Sequence, residues 1–212
     1  MINRDDLLAW IRKLAQAYAE NRDYLTDLDA AIGDADHGIN MNRGFSAVAA
    51  ALEDEPPADS SSLLKTVAMT LIKTVGGASG PLYGTFFLRA AAACQGRENL
   101  AAADVIACFE AGLAGVVQRG KAELNDKTMV DALSPAVAAM RKRAEAGAGL
   151  AEILAAAAAA AESGMQHTIG LQARKGRASY LAERSIGHQD PGATSSFLLV
   201  QAASDILGQS ES

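Results

Sequence analysis

Apolar residues recur along this chain at steps of three and four, the spacing of one face of an α-helix. A first stripe predicts a helix that Asn3 can cap, with inward positions at Leu7, Ile11, Leu14 and Tyr18. A loop rich in Gly and Asp follows at residues 29–38. After it, a second helix is predicted from Met41, Phe45, Val48 and Leu52, and the sequence EDEPP at 53–57 should end it.

The rest of the chain predicts six further helices. Ser60 to Ser62 offer caps for a helix through Leu71, and Pro81 suits the first turn of the next one. The others are predicted at 100–118, at 128–143, from about Gly149 through the alanine run at 155–161, and after Asp190 to Leu207. Period-two runs of β-branched residues are absent, so we predict an all-α fold of about eight helices in a single domain, 1–212.

Composition and charge exclude several classes of partner and location. The 212 residues include 46 alanines and only 10 aromatic residues, so small side chains should fill the contacts between helices. The net charge of −6 disfavours nucleic acid as a partner. The N-terminus lacks the basic and apolar pattern of a signal peptide, and no segment reaches about 18 apolar residues, so we expect a cytoplasmic protein without membrane contact. Cys94 and Cys108 lack metal-ligand spacing and are predicted to be buried free thiols.

Three loops combine Gly or Pro with polar residues just before a helix, at 33–38, 76–81 and 187–192. A helix start carries unpaired N–H groups and a partial positive charge, so each loop is a candidate anion site. For any one loop taken alone, ordinary turn chemistry is the better explanation of the same residues. One loop alone is therefore weak evidence for a ligand.

The first loop also carries Asp29, Asp34 and Asp36 within eight residues. Carboxylates held together repel one another unless a cation lies among them. A calcium loop counted from Asp34 fails, because Phe45 stands where the bidentate Glu is required. Magnesium fits better, since it needs few protein carboxylates. The alternative is that Asp34 and Asp36 cap a helix and Asp29 is a solvated surface charge.

The second loop could supply phosphate contacts. Its glycines allow close backbone approach, and Ala78 and Ser79 can offer N–H groups and a hydroxyl. A near match to the P-loop runs from Gly115 to Lys121, but Ala122 has no hydroxyl for magnesium, and a helix precedes it. The motif is therefore not a Walker sequence.

The rest of the chain offers few candidate functional residues. Arg174, Lys175 and Arg177 form one basic cluster, which is either a solvated face or a source of charge for a bound phosphate. His167 lacks a ligand partner and is predicted to be structural. No nucleophile and base pair stands out. Phosphoryl transfer depends mostly on positioning and charge neutralisation, and the inventory suits that reaction.

Four blocks together resemble the nucleotide-binding L subunits of bacterial dihydroxyacetone kinases that draw their phosphoryl group from the sugar phosphotransferase system. The blocks span nearly the whole chain in order: IGDADHGINMNRG at 32–44, VGGASGPLYGTFF at 75–87, RGKAE at 119–123 with DKTM at 126–129, and QARKGRASY at 172–180 continuing to Thr194. The resemblance implies an eight-helix antiparallel barrel or bundle, with the nucleotide held by the loops at one end.

The resemblance also assigns roles to residues. Asp29, Asp34 and Asp36 would hold a pair of magnesium ions, and Arg177 and His37 would act in catalysis. The phosphate side would be lined by His37, Gly38, Ile39, Asn40, Ala78 and Ser79. Gly120 and Met129 would border the adenine, and Arg177 with Asp190, Pro191 and Gly192 would close the site.

In the family that the chain resembles, ADP is a tightly bound cofactor. A phosphohistidine on an M subunit phosphorylates it, and the phosphoryl group passes to dihydroxyacetone on a K subunit, which gives dihydroxyacetone phosphate. Two alternatives stay open. One is a kinase domain of the same fold that exchanges ATP, as in single-chain dihydroxyacetone kinases or fatty-acid kinases. The other is a non-catalytic, ADP-loaded partner of a transcriptional regulator.

Overall fold

The computed structural model describes residues 1–54 and 57–209. Within these ranges the chain forms nine α-helices: α1 (Arg4–Glu20), α2 (Arg22–Ile32), α3 (His37–Asp54), α4 (Ser60–Thr74), α5 (Ser79–Ala93), α6 (Ala102–Gly120), α7 (Val130–Glu145), α8 (Leu150–His167) and α9 (Pro191–Leu207). Two 3-10 segments, Thr168–Gly170 and Arg177–Ser185, lie between α8 and α9. The described part of the chain contains no β-strand, only an isolated antiparallel bridge between Ile2 and Leu100.

The all-α prediction is confirmed. From α3 to α9, each helix packs against the next one along the chain. Helix α9 returns to α1, and α1 packs against α3, so the packing order closes on itself. That order is what a ring of helices requires, while the barrel itself stays a prediction.

Several predicted boundaries were wrong. Helix α2 was missed, and residues 29–32 belong to its last turn rather than to a loop. Leu25, Asp29 and Ile32 form its buried face, so a carboxylate occupies a position where the apolar stripe would continue. Asp59, not a serine, caps α4 by accepting the N–H of Ser62. The predicted stop at 53–57 falls partly on residues 55 and 56, which lie outside the described residues.

Other local predictions hold. Asn3 caps α1 in a capping box with Asp6. Pro81 lies in the first turn of α5. Cys94 and Cys108 are free and buried. The described part of the chain contains no helix long and apolar enough to cross a membrane.

Aromatic side chains fill the middle of the core. Trp10 and Phe87 lie with ring centroids 5.9 Å apart, and Tyr18 and Phe45 lie 4.7 Å apart. Trp10 Nε1 and Tyr18 Oη donate to main-chain oxygens of α9, so both buried rings have their polar atoms satisfied. These bonds fix α9 against α1, and the N-terminus of α9 lies at the candidate site.

Helices α7 and α8 approach closely because their contact uses small residues. A Cβ on Gly164 would lie 2.0 Å from the Asp131 carbonyl oxygen. The buried positions of α8 include Ala157, Ala158 and Ala161. The alanine run therefore lies at close contacts between helices, as the alanine-rich composition predicted.

Candidate functional site

A cavity of about 750 Å³ opens at the end of the bundle where α3, α5 and α9 begin. Twelve of the fifteen predicted site residues line it: Asp29, Asp34, Asp36, His37, Ala78, Ser79, Gly120, Met129, Arg177, Asp190, Pro191 and Gly192. Each of the three predicted loops contributes residues to this lining. The cavity is thus shared by the candidate anion loops and the acidic cluster.

The carboxylates of Asp29, Asp34 and Asp36 converge on one wall of this cavity. One ligand atom from each residue lies within 4.8 Å of the others. The turn that gathers them depends on Gly33, which ends α2, and on Ala35, which adopts a left-handed φ of 60°. A Cβ on Gly33 would lie 2.0 Å from Asp29 Oδ1, so a larger residue there would displace the carboxylate. Three carboxylate oxygens form a hard donor set that suits Mg²⁺.

Asp29 also organises the backbone around the other two. Its Oδ2 accepts hydrogen bonds from the N–H groups of Asp36 and His37, at 2.9 and 3.1 Å, where α3 begins. Asp29 is only 8% exposed, so it is not a solvated surface charge. Asp29, from the preceding helix, therefore supplies the side-chain acceptor at the α3 N-terminus, and this leaves the carboxylates of Asp34 and Asp36 at the cavity wall.

His37 is held on both sides of its ring. Nδ1 lies 3.2 Å from Ser79 Oγ, and Nε2 lies 2.8 Å from Ser195 Oγ. Tyr83 Oη, which is fully buried, lies 2.7 Å from the same Ser195 oxygen. Burial lowers the pKa of His37 to about 4, although the charge of Asp29 opposes this shift. The imidazole is therefore neutral near pH 7, and its orientation is fixed between α5 and α9.

The N-terminus of α5 faces the acidic wall. Gly77 takes a positive φ of 64°, and Ala78 begins the helix without a side-chain cap. Gly77, Ala78 and Ser79 all line the cavity. N–H groups at a helix start, with the helix dipole behind them, attract anionic oxygens. The second loop thus has the local structure that a phosphate site needs.

Asp190 closes another side of the cavity as the N-cap of α9. Its Oδ2 accepts the N–H of Ala193 at 2.7 Å, and Pro191 and Gly192 form the first turn of the helix. Burial raises the pKa of Asp190 to about 7; Asp131 and Asp29 add to the shift, while the Ala193 N–H and the Lys127 ammonium oppose it. The sequence predicted Asp190 at the site but did not reveal its capping role.

The basic cluster lies at the rim. Arg174, Lys175 and Arg177 all line the cavity, and Arg177 Nη2 lies 3.0 Å from Asp34 Oδ2. The Arg177 side chain is 67% exposed. The alternative of a purely solvated face therefore does not describe Arg177, since it joins the basic segment to the acidic trio.

Three predicted site residues do not line the cavity. Gly38 packs under α2, where a Cβ would lie 1.9 Å from the Arg22 carbonyl oxygen. Ile39 is 49% exposed on the first turn of α3. Asn40 is buried, and its Oδ1 accepts a hydrogen bond from Arg43 at 2.6 Å. These residues lie behind or beside the cavity wall.

Sequence reasoning missed other residues of the cavity. Lys127 is almost fully buried, and Tyr83 contributes a hydroxyl that contacts Ser195, the partner of His37. Both lie in blocks that carry the family resemblance, but Lys127 is a lone lysine in a loop and Tyr83 continues an apolar helix face, so neither was predicted to belong to the site. His167 is exposed and does not line the cavity, and its structural role stays a prediction.

The fold and the cavity define an all-helical domain with a candidate magnesium and phosphate site at one end. A model of the DAK2 domain matches residues 31–205, and the chain therefore belongs to the DAK2 domain family.

Several curated relatives match nearly the whole chain. One is the PEP-dependent dihydroxyacetone kinase, ADP-binding subunit DhaL, of Escherichia coli K12, which is 50% identical over 94% of this chain and 95% of its own length. Another is the PTS-dependent dihydroxyacetone kinase, ADP-binding subunit DhaL, of Lactococcus lactis, which is 41% identical over 98% of this chain and 100% of its own length.

A solved structure has the same fold. The dihydroxyacetone kinase of C. freundii, in complex with AMP-PNP and Mg²⁺, superposes with a TM-score of 0.72 at 25% identity. The match covers 92% of this chain but only 33% of the C. freundii chain. This chain therefore corresponds to about a third of that kinase.

Proposed function

We propose that this chain is the ADP-binding subunit of a multi-subunit dihydroxyacetone kinase supplied by the phosphotransferase system. The carrying observation is the carboxylate trio, which faces the uncapped N-terminus of α5 across one cavity. Similarity over nearly the full length of the DhaL relatives supports the assignment.

In this proposal, Asp29, Asp34 and Asp36 hold two magnesium ions. The donor set suits this role, because all three ligands are carboxylates gathered within 4.8 Å. Magnesium, when bound, would neutralise phosphate charge during transfer. Asp29 contributes a further function by holding the start of α3 with its other oxygen.

The nucleotide would occupy the rest of the cavity as a tightly bound cofactor. Its phosphates would lie against Ala78, Ser79 and His37, next to the trio. Its adenine would lie toward Gly120 and Met129. We propose that the first turn of α9 closes the site with Asp190, Pro191 and Gly192, and that the α3 residues Gly38, Ile39 and Asn40 support the phosphate side.

Arg177 and His37 are the proposed catalytic residues. Arg177 carries a fixed positive charge at the rim, within reach of a carboxylate of the trio, and can exchange that partner for a phosphate oxygen. Neutral His37 can orient Ser79 through the hydrogen bond at 3.2 Å. Bound ADP would carry the phosphoryl group, so these side chains need only position it and balance its charge.

Two partners follow from the proposed reaction. A phosphohistidine on an M subunit would supply the phosphoryl group, and a K subunit would hold dihydroxyacetone. The exposed apolar side chain of Tyr180, which lines the cavity and is 87% exposed, suits transient docking of such a partner. Reduced, buried Cys94 and Cys108 suit the cytoplasm.

Reconstitution with purified K and M subunits tests the proposal. Dihydroxyacetone phosphate should form from phosphoenolpyruvate and the phosphotransferase proteins only when this chain is present. The Asp34→Asn variant should abolish it, and Asp27→Asn, an exposed carboxylate on α2 outside the trio, should not. Equal turnover with ATP in the absence of the M subunit would instead support an ATP-exchanging kinase domain, the arrangement suggested by the AMP-PNP complex of the C. freundii kinase.

A further inference from the structure

Lys127 is a lysine that is almost completely buried, which is unusual for this residue type. Its side chain is only 1% exposed, and its backbone takes a left-handed φ of 63° in the loop between α6 and α7. Burying an ammonium group is costly unless each of its N–H donors finds an acceptor. A lysine in such a position therefore needs a structural reason.

Main-chain oxygens surround the ammonium. Lys127 Nζ has three N–H donors and lies within hydrogen-bond distance of four carbonyl oxygens, those of Thr168 at 2.8 Å, Leu171 at 3.1 Å, Ser185 at 2.8 Å, and His188. These four residues lie 41 to 61 positions away along the chain. One charged group thus joins the end of α8 to the segment that leads into α9.

The four acceptors flank the segment that carries Arg177. We call residues 172–184 the Arg177 loop; Leu171 precedes it and Ser185 follows it. Two further bonds join the same stem, from Ala173 N–H to Ser185 Oγ at 2.9 Å and from Arg174 N–H to the Asp126 carbonyl at 3.0 Å. Both ends of the Arg177 loop therefore lie beside the Lys127 ammonium.

Beyond this stem, the Arg177 loop contains most of the 3-10 segment Arg177–Ser185 and contacts the rest of the fold through a small apolar cluster. Gly176 and Ala182 adopt positive φ angles of 65° and 49°. Ala173 and Ala178 pack with Ile32 in a small cluster separate from the main core. The ion pair of Arg177 is exposed, and such pairs contribute little. The stem therefore supports the position of Arg177 together with this small cluster.

We propose that Lys127 is a positioning residue, whose ammonium holds both ends of the Arg177 loop together and so places Arg177 opposite the carboxylate trio. His188 and the Thr168 hydroxyl, which accepts the Asp190 N–H at 3.0 Å, extend the same support to the start of α9. The consequence for phosphoryl transfer rests on the proposed function, but the structural role does not.

Limited trypsin digestion tests the structural role directly. Lys127→Met keeps the aliphatic chain and removes the charged donors, so cleavage after Arg174, Lys175 or Arg177 should become about tenfold faster or more, well below the unfolding temperature. Lys65→Met, an exposed lysine on α4, is the matched control and should leave the cleavage rate unchanged. Cleavage of Lys127→Met at the parent rate would overturn the proposal.

A second variant covers the case in which Lys127→Met does not fold. Ser185→Ala removes the hydroxyl that accepts the Ala173 N–H and donates to the Ala182 carbonyl, without leaving a buried charge unpaired. It should accelerate cleavage of the same loop by a smaller factor. Parent-like cleavage in this variant would contradict a stem that controls the loop.

A double-mutant cycle tests the link to Arg177. In the reconstituted assay, Lys127→Met should lower kcat by most of the factor that Arg177→Ala produces, and the double variant should be no slower than Arg177→Ala alone. Losses that multiply would show that Lys127 does not act through Arg177, and would overturn that part of the proposal. If the parent chain supports no transfer, the proposed function fails, and the trypsin comparison alone decides whether Lys127 holds the loop.

Discussion

Arg177 Nη2 lies 3.0 Å from Asp34 Oδ2 and joins the basic loop before α9 to the carboxylate trio beside α3. Both side chains are accessible, at 67% and 34% of their full exposure. The pair therefore contributes little to the stability of the fold. Its significance is positional, because it sets a cationic side chain beside the carboxylates proposed to hold magnesium.

Replacing Asp34 tests the proposed metal site with little risk to the fold, since this carboxylate is exposed and caps no helix. We predict that Asp34→Asn lowers magnesium-dependent ADP affinity by more than the roughly 10- to 100-fold that loss of an outer-shell partner costs. Isothermal titration with ADP and Mg²⁺ measures the affinity. Asp27→Asn is the control, and equal ADP affinity in both variants would contradict the assignment.

Replacing Arg177 should separate turnover from stability. Arg177→Ala removes an exposed ion pair, so the free energy of unfolding should change by less than about 1 kcal/mol. Turnover in the reconstituted assay should fall by about 100-fold or more, as when one charge-stabilising donor is lost from an active site. Arg184→Ala, an exposed arginine in the same loop that does not line the cavity, should retain turnover. Unchanged turnover in Arg177→Ala would exclude the catalytic role.

Gly33 tests the geometry of the trio. A Cβ at this position would lie 2.0 Å from Asp29 Oδ1, so Gly33→Ala should push the carboxylate away from its neighbours. We expect ADP affinity in magnesium to fall by at least about tenfold, with a loss of about 1–3 kcal/mol in the free energy of unfolding. Gly170→Ala is the control, because a Cβ there would meet nothing within 4 Å. Parent-like affinity in Gly33→Ala would show that Asp29 can move without consequence.

Asp190 should leave a pH-dependent signature on stability. Burial raises its pKa from the ordinary 3.8 to about 7, so between these values the folded chain holds a proton that the unfolded chain has released. The contribution of this group to the free energy of unfolding therefore falls as pH rises from about 4 to about 7. Asp190→Asn keeps a capping oxygen but cannot ionise. The stability of this variant relative to the parent should rise over that range and then level off.

Urea denaturation of nucleotide-free protein in EDTA, from pH 4 to pH 8, measures this difference. His37, whose pKa burial lowers to about 4, has the opposite effect on stability below about pH 6.5, but it is present in both proteins and cancels in the comparison. A difference that is constant with pH would show that Asp190 titrates normally.

The sequence predicted the elements that local pattern controls. Regular apolar stripes such as Leu7 to Tyr18 fixed the long helices, and Asn3 was recognisable as a cap because capping is local. The apolar pattern did not reveal helix α2, because Asp29 lies on its buried face and interrupts the apolar stripe where the candidate site begins. A polar residue that is buried at a functional site thus breaks the apolar periodicity from which its helix would be predicted.

Site residues that are close in sequence could be predicted, whereas those brought together only by the fold could not. Asp29, Asp34 and Asp36 were identifiable because they lie within eight residues of one another in the sequence. Lys127 was not, because its four acceptors come from 41 to 61 residues away and all are main-chain oxygens, which carry no sequence signal. Likewise, nothing local shows that Ser195 of α9 lies 2.8 Å from His37 of α3.

Native mass spectrometry of the freshly purified, undenatured protein tests the central claim most directly, namely that the acidic trio holds divalent cations and, through them, ADP. The predicted result is a dominant species that carries one ADP and two magnesium ions, and that loses both when EDTA is added. A parent protein that carries no nucleotide, and acquires none when ADP and Mg²⁺ are added in excess, would contradict the account.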